Sequence, residues 1–158
     1  MKDTYLVGNY SINCKGNLID LSTPKIMSIV NTTPDSFYDG GKYNTIEKAL
    51  QKVELDISNN TTFIDVGGYS SKPNANHVTE EEELKRTIPT IEAILNSFPK
   101  AVISIDTFRG KVAKEAIEAG AAMINDISAF ELDKEMINTL SIYKVPYVLM
   151  HMQGTPQN

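Results

Sequence analysis

The sequence contains no tryptophan and a single cysteine, and it is poor in basic residues. One cysteine, Cys14, cannot form an internal disulfide, which is typical of proteins from the reducing cytoplasm. No apolar run approaches the ~18 residues that a membrane-spanning helix requires, and the first residues lack the apolar core of a signal peptide. The 15 Lys and Arg are outnumbered by 20 Asp and Glu, and the net charge of −5 disfavours nucleic acid as a partner. We therefore expect a cytoplasmic protein that binds neither membranes nor nucleic acid.

What the sequence does contain is an alternation of short apolar segments, rich in Ile and Val, with amphipathic segments. The apolar segments predict buried strands at residues 26–30, 62–66, 101–105, 123–125 and 147–150. The amphipathic segments predict helices at about 45–58, 79–97, 112–120 and 132–140. In the second helix, the acidic run 80–83 predicts a solvated helix start, and Pro89 predicts a kink or a break.

The predicted organisation is one α/β domain over residues 1–158, because no linker, low-complexity tract or tandem repeat divides the chain. Strict alternation of strands and helices favours a parallel sheet with right-handed crossovers. A β-hairpin at about residues 10–21, with Lys15-Gly16-Asn17 at its turn, precedes the alternating part. The chain is too short for a closed eight-stranded α/β barrel, which takes roughly 250 residues.

Polar residues are concentrated where the predicted strands end. They form the segments 31–41, 67–73, 106–109, 125–126 and 151–154. In parallel α/β folds, ligands bind at the carboxyl ends of the strands. Polar groups at successive strand ends therefore predict a binding site at this edge of the sheet.

Three strand-end residues are candidates for binding a ligand, and each has a structural alternative. Asp106 either accepts hydrogen bonds from a polar ring or caps the following helix. Asn125 either offers a donor and an acceptor to a heteroaromatic edge or is a buried amide satisfied by the backbone. Asn31 either supplies an oxygen to a hard cation such as Mg²⁺ or closes its strand with an Asx-turn.

The loop after the second predicted strand has the chemistry of an anion site. Gly67-Gly68 allows close approach of the backbone, and Ser71 and Lys72 then supply a hydroxyl and a cation. The loop lacks the GxxxxGK[ST] pattern of a Walker A motif, and a plain turn remains the alternative.

Five motifs in a fixed order carry a resemblance to a known family. They are residues 29–41 (IVNTTPDSFYDGG), 65–73 (DVGGYSSKP), 104–107 (SIDT), 124–128 (INDIS) and 149–156 (LMHMQGTP). They resemble the motifs of the dihydropteroate synthases of folate biosynthesis, and the resemblance covers nearly the whole chain.

The resemblance implies a (β/α)8 barrel of the TIM type, of which this chain would hold about the first five βα units behind the N-terminal hairpin. It also implies the condensation of (7,8-dihydropterin-6-yl)methyl diphosphate with 4-aminobenzoate to give 7,8-dihydropteroate and diphosphate. Asn31 would help to hold Mg²⁺ on the diphosphate. The full-length form would be a homodimer.

The same resemblance assigns the remaining site residues. Asp106 and Asn125 would hydrogen-bond the pterin ring in a pocket that Met150 lines. Asp106 would also act in catalysis, because a fixed carboxylate favours the cation that develops on the pterin methylene. Ser71 would contact the diphosphate or the aminobenzoate, and Lys72 would bind substrate beside it.

Two features depart from the family pattern. Lys72 stands in place of the usual arginine and lacks its planar fork, and Tyr69 stands where an acidic residue is common. The later family strands carry an aspartate that grips the pterin, a Ser-Arg-Lys motif and an Arg-x-His, and the sequence contains none of them. We therefore expect an incomplete fragment with little or no activity. A catalytically silent pterin-binding module and a pterin-dependent methyltransferase domain remain as alternatives, although the loop 33–41 resembles the synthases specifically.

Overall fold

The computed structural model describes residues 10–32, 42–69 and 77–151, with the backbone alone for residues 42–45. Its elements, in chain order, are β1 (Ser11–Cys14), β2 (Asn17–Asp20), β3 (Met27–Asn31), α1 (Lys42–Ser58), β4 (Phe63–Gly67), α2 (Glu80–Ser97), β5 (Val102–Asp106), α3 (Gly110–Glu118), β6 (Met123–Asp126), α4 (Glu135–Tyr143) and β7 (Tyr147–Leu149). Within the described residues, no helix has both the length and the apolar character to cross a membrane.

Strands β3 to β7 form one parallel sheet in the order of the chain, as the alternating pattern predicts. Helices α1 to α4 provide the crossovers between successive strands. Strands β3, β4, β5 and β6 each end one residue later than predicted, and Asn31 and Asp106 are the last residues of β3 and β5. The direction of both side chains is therefore set by the alternation of the strand and not by a loop.

One face of the sheet packs against the helices. Because side chains alternate along a strand, Val30, Val66 and Ile105 point to this face, where they meet Ile91 and Ile94 of α2. All five side chains are 0% exposed. Full burial of such a side chain contributes roughly 1.5–3 kcal/mol. This apolar layer therefore holds the strands in place, so that side chains on the opposite face of the sheet have fixed positions.

The predicted hairpin is present, with β1 and β2 paired antiparallel. Lys15 and Gly16 have φ angles of 50° and 88°, which a two-residue hairpin turn of this hand requires. Cys14 is completely buried and packs with Phe63 and Met123, which begin strands β4 and β6. The hairpin therefore closes the end of the sheet that lies opposite the polar strand ends.

The predicted break at Pro89 and the wholly solvated start of α2 are wrong, whereas a kink at Pro89 stays a prediction. The helix runs through Pro89 without interruption. Proline frees the carbonyl of Lys85, four residues earlier, but both residues are exposed and water can satisfy that carbonyl. The acidic run at the helix start is not wholly solvated either, because Glu83 is 0% exposed. Its burial follows from a partner on a distant loop, Arg109, which the helical pattern does not reveal.

Candidate functional site

The sheet face that points away from the helices carries its side chains in rows, because the strands are aligned in register. The row at the carboxyl ends, which we term the strand-end row, consists of Asn31, Gly67, Asp106, Asn125 and Val148. The row beneath it consists of Ile29, Asp65, Ser104 and Met123. Three of the predicted site residues are thus brought together in one row.

Gly67 leaves a gap in the strand-end row. A Cβ atom at this position would stand 3.3 Å from Oδ2 of Asp106 and 3.5 Å from Oδ1 of Asn31. The side chains of Asp106 and Asn31 therefore flank the same space, above a residue that has no side chain of its own. This close approach is a physical reason for glycine here.

Asp65, in the row beneath, is a site residue that sequence reasoning misses. Asn125 donates a hydrogen bond from Nδ2 to Oδ2 of Asp65 at 2.9 Å. Asp65 is 3% exposed, and burial raises the pKa of its carboxyl, although Ser104 and Asn125 oppose the rise. Even so, Oδ1 of Asp65 and Oγ of Ser104 are buried and make no hydrogen bond of standard geometry within the described residues. The feature of the sequence that could have identified Asp65 is its position as an acidic residue inside an otherwise apolar strand.

Asp106 lies in acidic surroundings. Burial raises the pKa of its carboxyl to about 7, and the carboxylates of Asp65, Glu83 and Asp126 add to the rise. Near neutral pH the group is therefore divided between its charged and neutral forms. A ligand that is cationic or rich in N–H donors favours the charged form, because a carboxylate accepts hydrogen bonds and balances positive charge.

The structural alternatives for Asp106 and Asn125 are wrong. Helix α3 begins after Arg109, and its first amide, that of Gly110, donates to Oδ2 of Asp133 at 2.7 Å. Asp106 therefore does not cap this helix. The side-chain amide of Asn125 donates to a carboxylate and not to the backbone. Neither residue is explained by the needs of secondary structure.

A fully buried carboxylate, Asp126, fixes the chain that follows β6. It accepts hydrogen bonds from the amide and the hydroxyl of Ser128, both at 2.8 Å, and from the amide of Phe130 at 2.9 Å. The hydroxyl of Tyr147 on β7 also donates to it at 2.7 Å, and burial together with this bond raises the pKa of Tyr147. Because Asp126 directly follows Asn125, this network holds the strand end that carries Asn125.

Met150 lies just beyond β7, at the same edge of the sheet. Its backbone amide donates to the carbonyl of Asp126 at 3.2 Å, and the residue is 42% exposed. The predicted substrate contacts Ser71 and Lys72 lie outside the described residues.

Asn31, the predicted ligand of Mg²⁺, is exposed at the end of β3. Across the three described ranges, no group of three or more His, Cys, Asp or Glu side chains is arranged to hold a metal ion. Mg²⁺ commonly keeps several waters and takes oxygens from substrate phosphates. One amide oxygen fits such a site, in which the substrate would supply the charge.

A parallel α/β sheet with an amide, a gap and acidic groups at its carboxyl ends is typical of proteins that bind small polar molecules at this edge. A family model described as "Pterin binding enzyme" matches residues 27–158, and the chain belongs to this family.

Relatives and solved structures agree with this membership. The chain is 52% identical over 126 residues to dihydropteroate synthase from Clostridium beijerinckii. This match covers 80% of this chain and 46% of that protein. The structure of Xanthomonas albilineans dihydropteroate synthase with 4-aminobenzoic acid matches with a TM-score of 0.86 and 39% identity, over 93% of this chain and 53% of that one. The enzyme from the same organism in complex with 7,8-dihydropteroate matches with a TM-score of 0.80 and 37% identity, over 90% of this chain and 51% of that one.

These likenesses confirm the resemblance seen in the sequence and the predicted fold class. The chain spans about half the length of the relatives that it matches. Its five-stranded parallel sheet behind a hairpin agrees with the first part of a barrel.

Proposed function

We propose that this chain is the pterin-binding portion of a dihydropteroate synthase. The complete enzyme would join (7,8-dihydropterin-6-yl)methyl diphosphate to 4-aminobenzoate and release diphosphate. The observation that carries the proposal is the strand-end row, in which Asp106 and Asn125 are adjacent, with Asp65 buried beneath them. Relatives that bear this enzyme's name support it.

The donors and acceptors of the row suit the edge of a pterin ring. One N–H of the Asn125 amide is engaged by Asp65. The Oδ1 atom and the second N–H of Asn125 then serve as one acceptor and one donor toward a ligand. The Asp106 carboxylate would accept from ring N–H groups. Met150 would line the side of the ring.

The same arrangement supports the chemistry of the condensation. The bond between the pterin methylene and the diphosphate oxygen breaks, and positive charge develops on the methylene and the ring. A fixed Asp106 carboxylate favours that charged state over the neutral substrate, which is what catalysis requires. The aminobenzoate nitrogen then bonds to the methylene and loses a proton.

The diphosphate would be held on the other side of the gap at Gly67. Asn31 would contribute an oxygen ligand to Mg²⁺, which neutralises the leaving diphosphate when bound. Ser71 and Lys72 would contact the diphosphate or the aminobenzoate. A lysine offers a point charge without the fork of an arginine, so we expect weaker orientation of the anion.

Binding without efficient turnover is the behaviour expected of this chain by itself. The chain spans about half the length of its relatives. Large apolar side chains remain exposed on its last elements, with Leu149 of β7 55% and Ile142 of α4 71% exposed. Further βα units would cover such surfaces in a closed barrel. A cytoplasmic location and a homodimer of the complete enzyme belong to the same proposal.

Calorimetric titration with the pterin diphosphate, beside an assay for dihydropteroate, tests the proposal. We expect the folded chain to bind the pterin diphosphate, and the variants Asp106→Asn and Asn125→Ala to lose at least about tenfold in affinity. Asp20→Asn, which changes an exposed carboxylate on the hairpin, is the matched control and should bind as the wild type does. Failure of the folded wild type to bind at millimolar pterin diphosphate contradicts the proposal.

A catalytically silent pterin-binding module is the second candidate, and the half-length match to the relatives favours it. The product assay separates the two candidates. Binding without any dihydropteroate, even after adding a fragment that supplies the remaining βα units of a relative, supports the module. Product formation in that mixture supports the synthase.

A further inference from the structure

A buried ion pair lies beside the strand-end row and takes no part in the ligand contacts proposed above. Glu83 of α2 is 0% exposed, and Arg109, between β5 and α3, is 9% exposed. Arg109 donates from Nη1 to Oε2 of Glu83 and from Nη2 to the carbonyl of Val78 at 2.7 Å. The guanidinium thus ties the loop after β5 to the start of α2.

The pair is connected to both proposed pterin-binding residues. Thr107, which directly follows Asp106, donates its hydroxyl to Oε1 of Glu83 at 2.7 Å and accepts from the amide of Arg109 at 3.1 Å. The amide of Thr107 donates to the carbonyl of Asn125 at 3.0 Å. A continuous series of hydrogen bonds therefore runs from the ion pair through Thr107, the residue next to Asp106, to the backbone of Asn125.

The chain that leaves β4 rests on the same pair. The Arg109 guanidinium lies 5.4 Å from the ring centroid of Tyr69 and 4.9 Å from that of Phe108, distances typical of cation–π contacts. The two rings meet edge to face at 5.2 Å. A Cβ on Gly68 would stand 3.0 Å from Cγ of Glu83, so the backbone there lies directly against α2.

An ion pair in this position needs a reason beyond stability. Removing two charges from water costs several kcal/mol, and well-packed apolar side chains often stabilise a fold as much. Apolar side chains, however, do not fix the orientation of the groups that they contact, because their contacts are not directional. The planar fork of an arginine bonds two acceptors at set angles while its faces stack on rings.

We propose that Arg109, paired with Glu83, is a positioning residue for pterin binding. It holds the segments that follow β4 and β5 in one fixed arrangement around Asp106. The inference rests on the proposed function for its ligand, and on the contacts of Arg109 for its geometry. Tyr69 contributes its ring face to the same arrangement.

The test uses Arg109→Lys, because this variant keeps the buried charge beside Glu83 and so should remain folded. Lysine cannot bond Glu83 and Val78 together while stacking on Tyr69. We expect the affinity for the pterin diphosphate to fall about tenfold, which is about 1.4 kcal/mol. Hydrogen exchange at the amides of Thr107 and residue 109, which both donate hydrogen bonds, should accelerate while exchange in the core of the sheet is unchanged.

Three further variants distinguish positioning from a general loss of structure. Tyr69→Phe keeps the ring and should retain wild-type affinity. Tyr69→Ala should weaken binding, and the double variant with Arg109→Lys should bind little more weakly than Arg109→Lys alone. Lys111→Gln is the matched control, because Lys111 also pairs with α2, through Glu80 at 3.0 Å, but on the surface. The guanidinium signals of Arg109 should carry a ring-current shift that Tyr69→Ala reduces to the part contributed by Phe108 and that Tyr69→Phe retains in full.

The outcomes also separate this inference from the proposed function. If the folded wild type does not bind the pterin diphosphate, the proposed function fails, and the exchange and guanidinium signals still decide the arrangement. The inference is overturned if Arg109→Lys and Tyr69→Ala leave both the exchange at Thr107 and residue 109 and the affinity within twofold of the wild type. It is equally overturned if Lys111→Gln has the same effects as Arg109→Lys.

Discussion

Replacing Asp106 by asparagine is expected to stabilise the protein at alkaline pH. The carboxyl has a pKa that rises from an ordinary value of 3.8 to about 7 in the fold, so the folded state binds its proton more tightly than the unfolded chain does. The cost of Asp106 to stability therefore grows as the pH rises from about 4 and is complete above about pH 7. This cost disappears as the pH falls toward 4.

The size of the effect follows from the rise in pKa. Each pKa unit corresponds to about 1.4 kcal/mol, so the cost at pH 8 is about 4 kcal/mol. Asparagine has nearly the same shape and no charge to bury. We expect Asp106→Asn to raise the free energy of unfolding by about 2–4 kcal/mol at pH 8 and to change it little at pH 4.

Urea unfolding of the full chain at pH 8, 6 and 4 measures this difference. The control is Asp20→Asn on the hairpin, where hydrogen bonds from Ser22 lower the pKa of an exposed carboxyl. A lowered pKa has the opposite sign, so the control should lose a little stability at pH 8 and none well below pH 4. The reasoning is refuted if Asp106→Asn gives no gain at pH 8, or the same gain at every pH.

Three further predictions concern the same site. Affinity for the pterin diphosphate should fall about tenfold from pH 8 to pH 6 in the wild type, because protonation of Asp106 removes the binding form, and calorimetry should find a flat profile in Asp106→Asn. Gly67→Ala should weaken this binding far more than it changes the urea midpoint, because the new methyl would stand 3.3 Å from Oδ2 of Asp106; an unchanged dissociation constant contradicts this. Tyr147→Phe should lower the free energy of unfolding by about 1 kcal/mol through the lost bond to Asp126, and Tyr143→Phe, whose hydroxyl bonds Glu118 at the surface, should cost less; equal costs would argue against a role for burial.

The strands and helices could be predicted because each has a period that the sequence displays. Continuous runs of Ile and Val marked β3 to β7, and the polar residues that ended them marked the site. Asp106, Asn125 and Asn31 were predicted in this way; the structure brings them into one row, and their roles in binding stay a prediction. The strands β3 to β6 end one residue later than predicted, because a polar residue or a glycine can still pair in the ladder. The single domain over 1–158 stays a prediction.

Features that depend on distant partners could not be predicted. Asp65 lies inside a strand, and only the register shows that its carboxylate meets Asn125, 60 residues away. Glu83 belongs to an acidic run that resembles a solvated helix start, and its partner Arg109 is 26 residues further on. The break at Pro89 was expected from a local rule, which tertiary packing and an exposed helix face overrode.

The buried cysteine of the hairpin allows the opening of the hairpin end of the sheet to be measured by thiol labelling. Cys14 is the single cysteine of the chain, and burial raises the pKa of its thiol. Alkylating reagents attack the thiolate, so modification must wait until β1 and β2 detach from Phe63 and Met123. The labelling rate thus measures how often the hairpin opens at this end of the sheet, independently of changes at the strand-end row, where substrate would bind.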